Sequence, residues 1–437
     1  MYNRNGDNMV KIIGAGLAGV EAAYYLANKN IQVKLYEMRP KKMTPAHQTG
    51  DFAELVCSNS LRSNDIHNAV GLLKHEMTEF NSLIMQAAHL SSVPAGSSLA
   101  VDRKLFSDYI EDKIKNHPNI EVIYEEFNDL NREEPTIVCA GPLASENLSL
   151  QIASLLDQHH LHFFDAIAPI IDANSINMEI AYLKSRYDKG EAAYINCPMN
   201  KEEYDLFYDA LINSKKVEIK GFENNVFEGC MPVEVMAARG RETLLYGPLK
   251  PVGLEEEGKK RPHAVIQLRQ DDAAKSMYNI VGFQTHLTWD EQKKVIQMIP
   301  GLEKASILRY GVMHRNTYLE SPKVLNASFQ VINHPNLFFA GQISGVEGYV
   351  ESAASGLNAA IQMHLYLTQK ELRPLPKETM MGAMASYIST PNQSFVPMNA
   401  NLGLFPQLDY KHAKKMRKEL YVKRSMEALS SYKEGMI

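Results

Sequence analysis

The sequence predicts an α/β fold, a Rossmann-like nucleotide-binding domain in two separated parts with an α+β insertion between them. Three observations carry this. A strand, a glycine turn, a helix and a second strand ending in an acid occupy Met9 to Pro40. A strand, a glycine-rich turn and a small-residue helix recur far downstream, between Asn336 and Ala360. The stretch between them alternates short helical and extended pieces, as an α+β region does.

In "MVKIIGAGLAGVEAAYYLANKNIQVKLYEMRP", residues 10–13 read as a short buried strand and residues 31–36 as the second strand. The turn is G-x-G-x-x-G: Gly14, Gly16 and Gly19, with Ala15, Leu17 and Ala18 filling it. The first glycine permits the tight turn, the second lets backbone approach a pyrophosphate, and the third lets helix and strand pack closely. The helix start offers free N–H groups to phosphate. Glu37 stands 23 residues past Gly14, where an acid grips a ribose hydroxyl. The downstream unit, "NLFFAGQISGVEGYVESAASGLNAA", resembles the C-terminal flavin signature of the two-dinucleotide flavoproteins, and "TIVCAGP" (136–142) resembles their middle strand and turn. That resemblance implies FAD, with Gly341, Gln342, Gly348 and Tyr349 joining the first glycine turn as cofactor-binding residues. No second G-x-G-x-x-G marks a separate NAD(P)H domain. The expected division is 1–172 and 310–437 for the FAD domain and 173–309 for the insertion.

Elsewhere, "HNAVGLLKHEMTEFNSLIMQAAHL" has helical 3–4 spacing, and helices are expected near 106–114, in "SINMEIAYLKSRY" and in "KEEYDLFYDALINS". "AYINCP", "KVEIKG", "HAVIQLRQD" and "NIVGFQTHL" read as extended. "TWDEQKKVIQMIPG" reads as a helix capped by Thr288 and stopped at Pro300–Gly301.

Composition narrows the class. The chain has 437 residues, 45% hydrophobic and 22% charged, with a net charge of −5. This is ordinary for a soluble protein and excludes a general nucleic-acid binder; any RNA contact must use a local basic surface. No apolar run approaches the roughly 18 residues of a membrane span. The polar start "MYNRNGDN" does not read as a signal peptide. Four scattered cysteines without a C-x-x-C pair argue against disulfides or a metal site, so a cytoplasmic location is expected.

Over essentially its whole length the chain resembles the TrmFO family of folate- and FAD-dependent tRNA uracil-5-methyltransferases, which are related to MnmG/GidA. The motifs are "GAGLAG", "ELVCSNSLR", "FEGCMPVE", "YGPLKPVGL", "VIQLRQDD", "NIVGFQTHL", "YGVMHRNTY" and "AGQISGVEGYVESAASG". One departure is Val396, where the family commonly has glutamine. The resemblance implies methylenetetrahydrofolate as carbon donor, reduced FAD as carrier of carbon and electrons, and NAD(P)H as reductant. It implies 5-methyluridine as product, typically at U54 in the tRNA T-loop, with no obligate protein partner and no membrane.

Such chemistry needs two thiols. Uracil C5 is a poor nucleophile until a soft nucleophile adds to C6, and a thiolate adds and leaves readily. By resemblance Cys230 is the C6 nucleophile and Cys57 removes the C5 proton. A thiolate at neutral pH needs positive charge beside it; Arg239 and Arg241 are candidates. Cys139 and Cys197 read as buried filler. The resemblance also implies an imidazole against the folate pterin, and His286 and His314 both lie in matching motifs. Arg239, Arg241, Arg261 and Arg269 are candidate RNA contacts. The basic C-terminal helix, with Lys411, Lys414, Lys415, Arg417, Lys418, Lys423 and Arg424, reads first as a solvated surface.

Competing functions separate on these features. MnmG itself is much longer. The same chemistry on a uridine of 23S rRNA would leave the same catalytic motifs. A catalytically silent flavin- and RNA-binding paralogue, or a plain NAD(P)H oxidase, would need neither Cys57 nor Cys230.

Overall fold

The structure, a computed structural model, describes residues 9–130, 133–156, 161–166, 168–217, 231–256, 258–311, 313–392, 395–408 and 413–435. Its first layer is a six-stranded sheet in the order Gln330–Val331, His334–Phe339, Thr136–Val138, Met9–Ile13, Gln32–Tyr36, Ile120–Ile123. All neighbours run parallel except the outermost pair, Gln330–Val331 with His334–Phe339. The strands are short and apolar because helices cover them: Val10, Ile12, Ile137, Phe338 and Phe339 are fully buried. Helix Leu17–Ala27 crosses helix Tyr349–Leu367 at backbone distance. A Cβ on Gly356 would sit 2.2 Å from the carbonyl oxygen of Ala18, so glycine is required for this approach. The first and last parts of the chain thus close one domain.

The second layer is an antiparallel sheet in the order Tyr182–Leu183, Tyr194–Met199, Ala264–Gln270, Met277–Ile280, Ile170–Asp172, Ile307–Arg309. Its core is separate and includes Ile171, Phe207, Leu268, Ile280 and Ile296. An antiparallel ladder of Leu161–Ala166 with Met313–Tyr318 runs between the two parts of the chain. No helix among the described residues is long and apolar enough to cross a membrane.

Two expected elements differ. The apolar run at 67–90 is two helices, Ala69–Thr78 and Leu83–Leu90. Asn81 takes a left-handed φ of 58°, and the Ser82 hydroxyl accepts the Met85 N–H, restarting the helix. Glu21 reinforces the break by accepting the N–H groups of Leu83 and Ile84. The stretch "SINMEIAYLKSRY" contains no α-helix. Its Tyr182–Leu183 piece pairs with Tyr194–Met199, and the Asn196 side-chain amide donates to the carbonyls of Tyr182 and Lys184. Sheet pairing outweighs its helical spacing. Most of "KVEIKG" lies outside the described residues.

Candidate active site

A cleft opens at the carboxyl ends of the parallel strands, where ligands enter open α/β sheets. It encloses about 1210 Å³ out to its mouth. One wall is the first glycine turn, including Gly14, Gly16, Leu17 and Ala18. A Cβ on Gly16 would meet no protein atom within 4 Å, so this side of the turn is open to a ligand. The first-turn N–H groups of the Leu17–Ala27 helix have no intrahelical acceptor, and no side chain caps them. A pyrophosphate fits this cradle.

Glu37 closes the adjoining wall. One carboxylate oxygen accepts the Ala15 N–H at 3.0 Å, and the other accepts Arg39 Nε at 3.0 Å and the Arg39 N–H at 2.9 Å. Burial alone would raise its pKa, but the bonds and charge of Arg39 outweigh burial and hold it below the usual carboxylate range. Glu37 is therefore an ionised acceptor, fit for ribose hydroxyls. Arg39, fully buried and also bonded to Glu54 at 3.2 Å, was not foreseen, although it stands two residues beyond Glu37. The downstream glycine unit reaches the same cleft through Gly341, Gln342, Tyr349 and Ser352. Gly348 is the N-cap of the Tyr349–Leu367 helix. Ala15 and Gly19 lie within the turn without lining the cleft. These residues fit FAD: a phosphate cradle, a ribose acceptor and a second helix start on one cavity.

Cys57 lines this cleft. Its N–H donates to the Tyr349 hydroxyl at 2.7 Å, and the Ser58 N–H donates to the same oxygen at 3.1 Å. Burial pushes the Tyr349 phenol up, so it stays protonated and keeps its own O–H to donate. Three arginines hold the loop around the thiol. Arg309 donates to the Val56 carbonyl at 2.7 Å, Arg103 to the Leu55 carbonyl, and Arg269 to the Ser58 hydroxyl at 2.6 Å and Asn59 Oδ1 at 3.1 Å. Among the described residues only Asp271 of the carboxylates bonds them, taking Arg103 in a two-bond fork at 2.9 and 3.1 Å. Burial would lower Arg103, but Asp271 outweighs it and raises the pKa. Burial lowers Arg269 and Arg309, and the Arg103 charge lowers both further. Three guanidinium groups thus hold the loop that bears the thiol. Arg103 and Arg309 were missed because their loop partners are distant in sequence; only "LRQDD" carried part of the signal.

The remaining site residues separate. Cys230 lies outside the described residues, as does the side chain of His314, whose backbone pairs with Asp165. Asn316, two residues on, does line the cleft. His286 is not on the cleft wall. It is buried, with Nδ1 2.6 Å from the Glu234 carboxylate, which also accepts its backbone N–H at 2.7 Å. Arg269 corrects an expectation: it is buried under the Cys57 loop and does not face an RNA phosphate. Arg241 is neutralised by Asp205 at 2.7 Å and Asp209 at 2.5 Å and lies over the Tyr208 ring, so its charge is spent locally. Arg261 is exposed and pairs with Glu255 at 2.6 Å. Arg239, at the end of the Val233–Ala238 helix, is exposed. Cys139 and Cys197 are buried thiols pushed up by desolvation, Cys197 to about 12.

Comparison with known proteins agrees with this geometry. Residues 9–371 match the family model "Glucose inhibited division protein A". A relative from Acholeplasma laidlawii, named methylenetetrahydrofolate–tRNA-(uracil-5-)-methyltransferase TrmFO, is 68% identical over 98% of this chain and 100% of its own length. Proteins of the same name from Bacillus velezensis and Bacillus subtilis are each 57% identical over 97% of this chain and 98% of theirs. Aquifex aeolicus GidA, in two crystal forms, has the same fold at a TM-score of 0.69 in each. Identities are 15% and 16%, covering 97% of this chain and 73% and 76% of the other. The chain belongs to the TrmFO family, within the glucose-inhibited division protein A group.

Proposed function

We propose that this protein is a methylenetetrahydrofolate–tRNA-(uracil-5-)-methyltransferase that uses FAD and NAD(P)H and forms 5-methyluridine in tRNA, at U54 of the T-loop. The observation that carries this reading is Cys57, held in a cage of arginines on the wall of a cleft that fits FAD, in a chain of this family. When bound, FAD supplies the carrier and redox chemistry for the one-carbon unit. The glycine turn from Gly14 to Gly19 and the following helix start hold its phosphates, and Glu37 its ribose. Gly341, Gln342, Gly348 and Tyr349 support the far end.

The division of labour between the thiols is the one the family resemblance implies: Cys230, which lies outside the described residues, adds to uracil C6, and Cys57 removes the C5 proton. Arg103, Arg269 and Arg309 fix the loop that bears Cys57 on the cleft wall. We assign addition to uracil C6 to the Cys230 thiolate. Addition forms the S–C6 bond and makes C5 nucleophilic towards an electrophilic one-carbon unit. Cys57 then takes the C5 proton as the bond between the one-carbon unit and its carrier breaks, which leaves an exocyclic methylene; a hydride, which reduced FAD would supply, converts it to methyl as expulsion of the Cys230 thiolate restores the C5–C6 double bond.

The test uses 5-fluorouridine-containing tRNA. Cys230→Ala should abolish both turnover and the covalent RNA adduct. Cys57→Ala should abolish turnover and retain the adduct, with FAD content measured in both. The reverse pattern would assign the C6 addition to Cys57. Mapping 5-methyluridine in tRNA and 23S rRNA of a deletion strain tests the target; loss only from rRNA would overturn the tRNA assignment.

A further inference from the structure

The sole tryptophan of the chain, Trp289, is 61% exposed at the first turn of helix Trp289–Gln297. An exposed indole normally gains by burial, so its position needs a reason. One face is stacked on Tyr310, with ring centroids 5.3 Å apart and planes 17° from parallel. The pair is rigidly mounted. The buried Gln292 amide donates to the carbonyls of Leu287 and Gly311 and accepts the Gly311 N–H, each at 2.8 Å. The two bonds to Gly311 fix the helix to the turn that bears Tyr310.

The mount adjoins the Cys57 loop. Tyr310 follows Arg309, one Cα step of about 3.8 Å away, and Arg309 reaches the Val56 carbonyl beside Cys57. On the other side, the residues flanking the Cys230-bearing segment are pinned just ahead of Trp289. The Val217 N–H donates to the His286 carbonyl at 2.8 Å, and the Val233 N–H to the Gln284 carbonyl at 2.7 Å. The rim is basic on balance. Lys215 and Lys216 are exposed and lie against the same turn: the Lys215 carbonyl accepts the Thr288 N–H, and Lys216 bridges Leu287. Lys293 is exposed on the helix itself. Of the two acids in this helix, Asp290 is exposed and Glu291 is paired with Lys294 at 2.8 Å.

We propose that the Trp289–Tyr310 stack is a docking platform for an unpaired base of the substrate RNA, next to the nucleotide that enters the cleft. A flat, preorganised aromatic face with lysines at its edge is what single-stranded nucleic acid uses: the base stacks and the backbone meets the cations. The target uridine cannot reach a thiol while stacked in RNA, so it must be turned out. A platform beside the cleft compensates a neighbouring base for the stacking it loses. The inference rests on the RNA-methyltransferase reading above.

The experiment titrates the FAD-loaded enzyme with an unmodified tRNA transcript and follows both Kd and the emission of the single tryptophan. Wild-type emission should change on binding. Trp289→Ala should raise Kd by about tenfold, the loss of one base–aromatic stack. Trp289→Phe should recover most of the affinity, and FAD content should stay unchanged in both. Because stacking releases no counterions, the salt dependence of binding should keep its slope. A Trp289→Ala protein with wild-type Kd, or wild-type binding without any change in tryptophan emission, overturns the platform. If Trp289→Ala leaves Kd unchanged but dissociates a dimer, the face belongs to a second copy and the proposal falls. If the wild type binds no tRNA, the methyltransferase reading fails as well.

Discussion

Arg309 shows how one side chain links two parts of the molecule. It leaves the edge strand of the insertion sheet and donates to a carbonyl of the Cys57 loop. Its cost of burial is visible in a lowered pKa, to which Arg103 adds by repulsion. Such a charge is useful only if an anion balances it, and Cys57 is the thiol beside it that could do so when ionised. Replacing Arg309 with Met in a Cys230→Ala background should slow iodoacetamide alkylation of Cys57 at neutral pH about tenfold, because an opposite charge at close range shifts ionisation by one unit or more. Peptide mapping of the alkylated thiol measures it; an unchanged rate would remove the electrostatic role. Cys139 and Cys197 should react only after unfolding, since burial holds both as neutral thiols.

Helix ends are tied together by buried carboxylates. Glu76, on helix Ala69–Thr78, accepts the N–H groups of Met380 and Met381 at 2.7 and 2.8 Å and the Ser425 hydroxyl at 2.6 Å. It caps helix Met380–Ser389 and anchors the C-terminal helix Arg417–Glu434 with one side chain. Burial is the largest influence on it and, despite these three donors, raises its pKa from 4.5 to about 7. The folded state then holds a proton that the unfolded chain has released. The associated stability is complete below about pH 4.5 and is lost as pH rises to about 7. Glu21, at the start of helix Leu83–Leu90, is also raised to about 7 and acts in the same direction. Melting temperature should fall between about pH 5 and pH 8, and Glu76→Gln should remove part of that slope. A wild-type protein whose melting temperature rises over this range would contradict the assignment. Glu76→Ala, which leaves the Met380 and Met381 N–H groups uncapped, should cost about 2 kcal/mol in denaturant unfolding.

At the scale of the molecule, a net charge of −5 must still meet an RNA backbone. Arg269 is buried and Arg241 is paired with two aspartates at the surface, so the contact falls first to other exposed groups such as Arg239, Lys215, Lys216 and Lys293. Part of the basic C-terminal helix is also committed: Arg424 donates to the carbonyls of Gln407 and Pro406 at 3.1 and 2.7 Å. Counterion release should still dominate, and tRNA affinity should fall at least about tenfold between about 50 and 200 mM salt. A Kd independent of salt over that range would exclude phosphate contacts as the source of affinity. A second whole-molecule expectation concerns the cofactor. Purified protein should be yellow, and Glu37→Ala should weaken FAD retention by one charge-assisted contact, roughly tenfold or more, as read by flavin absorbance after dialysis.

The sequence by itself determined what local pattern can encode. The glycine turn, Glu37 at its fixed distance, the small-residue helix after Gly348 and the buried apolar strands all follow from short-range rules, and the cleft is built from them. It also singled out Cys57 through the motif around it. Only the tertiary structure decided which charges surround that thiol. Arg103, Arg269 and Arg309 are 46, 212 and 252 residues from Cys57 along the chain, and no spacing rule joins them. The same holds for the arginines that looked free in the sequence. Arg241 met its aspartates on a helix more than 30 residues away, and Arg269 turned inward from a central strand. A sequence shows that a cation is present; whether it faces solvent, a carboxylate or a reactive thiol depends on the alternation of a strand and on contacts between domains, because electrostatic partners are chosen by distance in space.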